Sequence, residues 1–266
     1  EQGVTWPFFT RLTGLWTITQ YYYRIESSNV VGTSWSVTRD FWTHSTNPIA
    51  RYVSVSGAGL KDGTTWASAY GSIEDALSDC VFPGDTIYMK YGTYERQSAV
   101  IISNSPGIVI RGSMAGTAPE PGIITNEPTL FTRNGLYVTR IIYVSRSTVT
   151  VDGVTFAGGY MTVSGADGAG IYAHNNTSLT LTNCTVRNNQ CYTDGIQEGG
   201  GLYHSGGRLR IDNCAFLTNT LPKSSWSTYS RGGGIAVVNA DTQIRNTLFR
   251  ECHVYARHYD TFGGAL

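Results

Sequence analysis

Four segments in the second half of the chain alternate apolar and polar residues and align without gaps: Val149-Thr-Val151-Asp-Gly153-Val-Thr-Phe156, Leu179-Thr-Leu181-Thr-Asn183-Cys-Thr-Val186, Leu209-Arg-Ile211-Asp-Asn213-Cys-Ala-Phe216 and Thr242-Gln-Ile244-Arg-Asn246-Thr-Leu-Phe249. Alternation with a period of two marks a strand with one buried face. Val151, Leu181, Ile211 and Ile244 are therefore predicted to stack inside as one column, and Phe156, Val186, Phe216 and Phe249 as a second. Between the two halves of each segment sits Gly153, Asn183, Asn213 or Asn246. Glycine and asparagine enter positive φ most readily, so this column predicts a tight left-handed bend in every coil, with asparagine amides bonded one above another.

The same period appears in the blocks Gly168-Ala169-Gly170-Ile171, Gly199-Gly200-Gly201-Leu202, Gly232-Gly233-Gly234-Ile235 and Gly263-Gly264-Ala265-Leu266, whose starts lie 31, 33 and 31 residues apart (199−168, 232−199, 263−232). A fixed repeat of this size means a solenoid whose units bury their apolar faces against each other. The blocks read as coil-start strands in which small residues permit close backbone stacking. The fourth block would begin a new coil, so Gly263, Gly264 and Leu266 are a candidate joining surface. Loops over 190–198, 221–231 and 254–262 absorb the differences in length. Upstream, less regular strands are predicted over 86–90, 98–102, 107–111 and 140–144. A short helix is predicted over 72–78, with Ser72 as N-cap and Glu74 and Asp75 in the first turn.

Residues 1–50 stand apart as an N-terminal β extension, with 51–266 as the solenoid. Segments 14–25 and 33–43 alternate as two strands around a turn near 27–32. An isolated hairpin is marginal in water. Leu15, Trp16, Ile18, Tyr22, Trp35 and Val37 are therefore expected to pair with an edge of a second copy.

Composition narrows the picture. Lys+Arg and Asp+Glu both number 19, a net charge of +0, which argues against partnership with nucleic acid or an anionic membrane surface. Charged residues are 14% of the chain, against roughly a quarter in an average domain, while 31 glycines and 17 tyrosines fit a turn-rich, secreted all-β protein. No apolar run is long enough for a membrane-spanning helix. The start at Glu1-Gln2 fits a processed or trimmed chain. N-glycosylation triplets lie at Asn175, Asn176 and Asn183. An N-linked glycan is expected at Asn175 or Asn176, whereas Asn183 falls in the bend column, where its amide is expected to be used and sterically hidden. The five cysteines form no CxxC pair. Cys184 and Cys214 share a column one coil apart and are expected as buried free thiols, because stacked strands hold equivalent residues too far apart for a disulfide; pairing of Cys191 and Cys252 is open.

No cofactor is expected. Asp167, Asp194, Glu198 and Asp260 gather near the variable loops as a conceivable calcium set, without the local oxygen-ligand pattern calcium needs. His174 and His204 follow the glycine blocks at nearly equivalent places, and both are expected to be solvated surface residues.

A further pattern occupies 51–94: Arg51-Tyr-Val-Ser-Val55, Asp62-Gly-Thr-Thr-Trp66-Ala-Ser-Ala69, the short helix, Pro83-Gly-Asp-Thr-Ile-Tyr88 and Gly92-Thr-Tyr94. It resembles the opening of secreted right-handed parallel β-helix proteins of the pectate-lyase-like superfamily. The glycine blocks followed by Phe-x-x-Asn, at 216–219 and in degenerate form at 186–189 and 249–252, resemble repeats of bacterial polymorphic outer-membrane adhesins. The resemblance implies an all-β, right-handed parallel β-helix with a short N-terminal capping helix, and it identifies no chemistry. Enzymes on this scaffold need grouped calcium ligands with a basic residue, or paired carboxylates. Here the outward positions are Thr150, Thr180, Arg210 and Gln243, and no catalytic residue is predicted. The expected function is a non-enzymatic extracellular structural protein, a subunit of a surface fibre stacked head to tail on itself. The alternative is an adhesin whose face of Tyr172, Tyr203, Trp226, Tyr229 and Tyr255 contacts glycans; a polysaccharide lyase or hydrolase comes third.

Overall fold

The computed structural model describes residues 12, 15, 20–42, 48–163, 166–192, 196–222, 230–255, 261–262 and 264–265. The chain divides into two compact units, Glu1–Pro48 and Ile49–Leu266.

The larger unit is a parallel β-helix. One sheet stacks Ala50–Val53, Thr86–Lys90, Ile108–Met114, Thr148–Asp152, Ser178–Thr182, Arg208–Asp212 and Asp241–Arg245. A second stacks Gly92–Arg96, Thr129–Arg133, Val154–Ala157, Thr185–Arg187, Ala215–Leu217 and Leu248–Arg250. The third holds Val100–Ser103, Ile142–Ser145, Ile171–His174, Leu202–Ser205 and Ile235–Val238. Each strand pairs in parallel with its equivalent one coil away, so the inward columns read from the alternation are real: Val151, Leu181, Ile211 and Ile244 are in register, as are Phe156, Val186, Phe216 and Phe249. All but Ile244 and Phe249 are fully buried. Burial of each such side chain stabilises by about 1.5–3 kcal/mol, and these columns make the core. The strands expected at 98–102, 107–111 and 140–144 begin later, at Val100, Ile108 and Ile142.

The bends between the first two sheets are left-handed, with φ of 70° at Gly153, 53° at Asn183, 51° at Asn213 and 47° at Asn246. Asn213 Nδ2 donates to Asn183 Oδ1 (2.6 Å), and Asn183 Nδ2 to Asp152 Oδ1 (2.7 Å). Asn246 departs from the column and donates to Asp212 Oδ1 (2.9 Å). A second, fully buried ladder follows the Phe-x-x-Asn positions. Asn189 Nδ2 donates to Asn219 Oδ1 (2.9 Å) and Asn219 Nδ2 to the Val186 carbonyl (2.8 Å), while Asn189 Oδ1 accepts the Gly159 N–H (2.8 Å). Cys252 stands where the next asparagine would be, with its Sγ 3.4 Å from the Phe216 carbonyl.

The glycine blocks are corners, not strands: the strands start at Ile171, Leu202 and Ile235. Gly199 has φ of 62°, and a Cβ there would run into the Leu202 carbonyl; a Cβ on Gly201 would sit 2.5 Å from the Gly234 carbonyl. The stacking expected of these blocks holds nonetheless, since Gly201 N–H donates to Gly233 O (3.1 Å) and Gly234 N–H to Gly264 O (3.0 Å).

The helix Ile73–Asp79 is capped by Ser72 Oγ, which accepts the Asp75 N–H (3.2 Å). It buries Ile73 and Ala76 against the strands of the first coil. The Pro-Gly-Asp turn before Thr86 has a physical role: Asp85, fully buried, accepts the backbone N–H groups of Ile49 (3.0 Å) and Phe82 (2.8 Å). Asp62 likewise ties its loop, taking Thr64 N–H (2.9 Å) and the hydroxyls of Thr64 (2.7 Å) and Ser68 (2.6 Å). Those bonds hold its carboxyl at about 2.

In the smaller unit, Gln20–Tyr23 pairs antiparallel with Arg39–Trp42, and Glu26–Asn29 with Gly32–Trp35. The turn is Val30-Val31, later than the start of the expected span, because Glu26–Asn29 is already strand. Two residues after Tyr23 face three after Trp35, a bulge-like extra residue that shifts the register.

Candidate functional site

The third sheet carries the most distinctive outward surface. Its alternation buries Ile142 and Val144, Ile171 and Ala173, and Leu202, and turns Tyr143, Tyr172 and Tyr203 outward in register. Strands about 4.8 Å apart bring such rings into contact. The Tyr143 and Tyr172 centroids are 5.7 Å apart at 18°, and those of Tyr172 and Tyr203 5.2 Å apart at 13°. The rings therefore cover one another along the stack. Tyr143 has its other side toward Ile101, its partner in the preceding coil.

Arg140 lies beside this ladder, its guanidinium 4.3 Å from the Tyr172 centroid and 5.9 Å from that of Tyr143, in cation–π range. Ile141, fully buried and bonded through its N–H to Ala169 O (3.1 Å), fixes the backbone that presents it. Burial lowers the Arg140 pKa, against weaker support from Tyr172, Cys191 and Asp167. Among the described residues Arg140 has no ion pair, and its Nε has no hydrogen-bond partner. On the ladder's other flank, His174 Nε2 is 2.6 Å from the Tyr143 hydroxyl, and burial, with Arg140 nearby, lowers the His174 pKa.

Two carboxylates stand at the adjoining corner. Asp167 Oδ1 accepts the Glu198 N–H (2.8 Å); burial, reinforced by the Glu198 charge, pushes Asp167 up to about 7. Glu198 is buried and ion-paired with Arg231, its register partner in the next coil. At the Tyr143 end lies a shallow, open cavity of about 280 Å³, walled by Ile101, Val138, Thr139, Arg140, Tyr143 and Met161. It is apolar apart from Arg140 and Thr139, whose hydroxyl donates to the Arg140 carbonyl (2.9 Å).

The expected site residues fare unequally. Asn175 and Asn176 are exposed in left-handed conformations, with φ of 57° and 60°. Asn183 uses its amide in the bend ladder as expected, yet its residue is exposed, because the ladder runs along the outside of the corner. His204 is a correction: it is fully buried. Tyr172 pairs with Tyr203, so His204 falls opposite Ala173, on the inward face, while His174 falls opposite Ser145. Burial pushes His204 down to about 4 against a weaker pull from the Thr177 and Arg208 backbones, and neither ring nitrogen makes a hydrogen bond among the described residues. Asp167 and Glu198 meet, but Asp194 and Asp260 lie outside the described residues, and no group of three His, Cys, Asp or Glu arranged to hold a metal occurs among those described. All five cysteines are buried and free. Tyr255 is exposed but follows a different sheet from Tyr172 and Tyr203, and Trp226 and Tyr229 lie outside the described residues. Tyr22, Trp35 and Val37 are exposed, Leu15 and Gly264 are half-buried, and Trp16, Ile18, Gly263 and Leu266 lie outside the described residues. Tyr143 and Arg140 were not anticipated; the run Ile142-Tyr-Val matches Ile171-Tyr-Ala, but Thr139-Arg-Ile replaces the glycine block that marks later coils.

The profile of a family described as a right-handed beta helix region matches residues 77–261, more than half of the chain. The chain belongs to that family. The handedness of this β-helix is thereby given, and the matched region contains the whole tyrosine ladder. No curated protein and no solved structure matches the chain.

Proposed function

We propose that this right-handed β-helix is an extracellular, non-enzymatic protein that binds carbohydrate on its tyrosine face. The observation that carries the reading is the Tyr143–Tyr172–Tyr203 ladder ending in a cavity beside Arg140. Aromatic surface gives a sugar ring apolar contact, and hydroxyl and guanidinium groups at its edge supply directional bonds. Binding is favoured over hydrolysis because the carboxylates described on this side are already engaged, Asp167 by a backbone N–H and Glu198 by Arg231. A glycan array probed with the chain and with Tyr143→Ala tests the proposal. Bound glycans should be lost in the variant with the circular dichroism spectrum unchanged; no binding above background, or binding that survives the substitution, rejects it.

A second reading, self-association into a fibre, is favoured by the hairpin of the smaller unit, which exposes Tyr22, Val30, Val31, Trp35 and Val37. Deletion of residues 1–45 should then abolish filaments in electron micrographs while leaving the β-helix folded; filaments that persist exclude it.

A further inference from the structure

The cavity at the end of the ladder has one cation, Arg140, and an aliphatic wall in Ile101, Val138 and Met161 beside the Tyr143 ring. We infer that it takes a sugar bearing both a carboxylate and an N-acetyl group, the chemistry of a sialic acid, with the carboxylate on Arg140 and the acetamido methyl against Val138 and Met161. This rests on the carbohydrate-binding reading of the same face.

Arg140 is the first reason. A half-buried guanidinium without an anion is costly, and among the described residues Arg140 has neither an ion pair nor an acceptor for its Nε. A planar fork of donors at a cavity wall matches a carboxylate better than any neutral sugar hydroxyl. Asp167 does not fill that role: it forms no ion pair with Arg140, and its oxygen is bonded to the Glu198 N–H.

The wall is the second reason. Ile101 flanks Tyr143 on the side that Tyr172 does not cover, and Val138 and Met161 line the same cavity. The aromatic ring suits the C–H face of a pyranose, which leaves the aliphatic side chains, Met161 the most adaptable of them, to cover a further apolar group. An N-acetyl methyl is the apolar substituent that common sugars carry. About 280 Å³ is near the lower end of ligand cavities and suits a single terminal sugar residue, not a chain threaded through.

The test is isothermal titration of the intact chain with sialyllactose, lactose, chitobiose and a glucuronate-terminated disaccharide. Sialyllactose should bind at least about 10-fold more tightly than each of the others, as a charge-assisted pair together with a buried methyl would give. Its affinity should fall with added salt, and Arg140→Gln should bring it to the level of lactose. Equal binding of lactose and sialyllactose, or preference surviving Arg140→Gln, overturns the carboxylate assignment. Equal binding of the glucuronate sugar overturns the N-acetyl assignment. If none of the four binds while an array glycan still depends on Tyr143, this inference fails and the general reading stands; if no glycan binds at all, the general reading fails.

Discussion

Replacing His204 by leucine should remove an acid-sensitive weakness from the core. The imidazole is fully buried between Ala173 and Val237 of the neighbouring coils, with no hydrogen bond to either nitrogen among the described residues. Its folded pKa is pushed down to about 4, against about 6.5 in an unfolded chain. Between those values the unfolded chain binds the proton that the folded chain refuses, so stability is fully present above pH 6.5 and is lost as pH falls toward 4. The gap of about 2.5 units corresponds to about 3 kcal/mol. Asp167 acts in the opposite sense: its folded pKa, pushed up to about 7, makes the folded chain the better proton binder below that pH, so its contribution grows as pH falls. That contribution is common to both proteins and cancels in their difference. Urea unfolding followed by circular dichroism at pH 7, 6, 5 and 4 should show His204→Leu ahead of wild type by about 1–3 kcal/mol already at pH 7, since leucine is of similar size and leaves no buried nitrogen without a partner. By pH 4 the variant should be ahead by a further 3 kcal/mol or so. Parallel pH curves would refute the reasoning, because they would mean that the imidazole is either solvated or hydrogen-bonded in the folded chain.

Asn219→Ala should cost about 2–4 kcal/mol in the same unfolding assay, since inside the core it removes the acceptor of the Asn189 backbone N–H and of one Asn189 Nδ2–H, and the side-chain donor to the Val186 carbonyl; a loss under 1 kcal/mol would mean that water replaces the side chain. Gly199→Ala should lower the melting temperature more than an alanine at the exposed Gly135, where a Cβ meets nothing, because at Gly199 both φ and the Leu202 carbonyl oppose it. All five thiols are buried; burial pushes those of Cys80 and Cys191 up to about 12 and that of Cys184 well up, while the hydrogen bond with Cys184 lowers that of Cys214, so a thiol reagent at pH 8 should leave Cys80, Cys184 and Cys191 unlabelled in the folded protein and label all five cysteines in denaturant.

What could be read from the sequence was whatever repeats with a local cause. The Gly153, Asn183, Asn213 and Asn246 column is visible because positive φ selects those residue types, and the Val151 and Phe156 columns because strand burial alternates. Glycine, by contrast, is permissive in any conformation, so Gly199 gave no sign of whether it begins a strand or turns a corner. His204 was misplaced by a single position: His174 lies three positions after Ile171 but His204 only two after Leu202, and in a strand that difference exchanges outside for inside. The site suffered most. Tyr143 and Arg140 belong to a coil without the glycine signature, and the approach of Arg140 to Tyr172 joins residues 32 positions apart (172−140).

The glycine corners also set the unit in which this protein can change. Because the space a Cβ would fill on Gly201 is held by a carbonyl of the following coil, adjacent turns mesh like gear teeth and cannot slip by one residue. A whole turn is a different matter, since the backbone N–H groups of the glycine corners meet equivalent carbonyls one period later. Lengthening such a chain by duplicating a complete turn, cut within a variable loop, preserves the meshing contacts, whereas inserting one amino acid at a corner breaks the mesh between that turn and its neighbours. The corner thus works as a reading frame in three dimensions, tolerant of added words and intolerant of added letters.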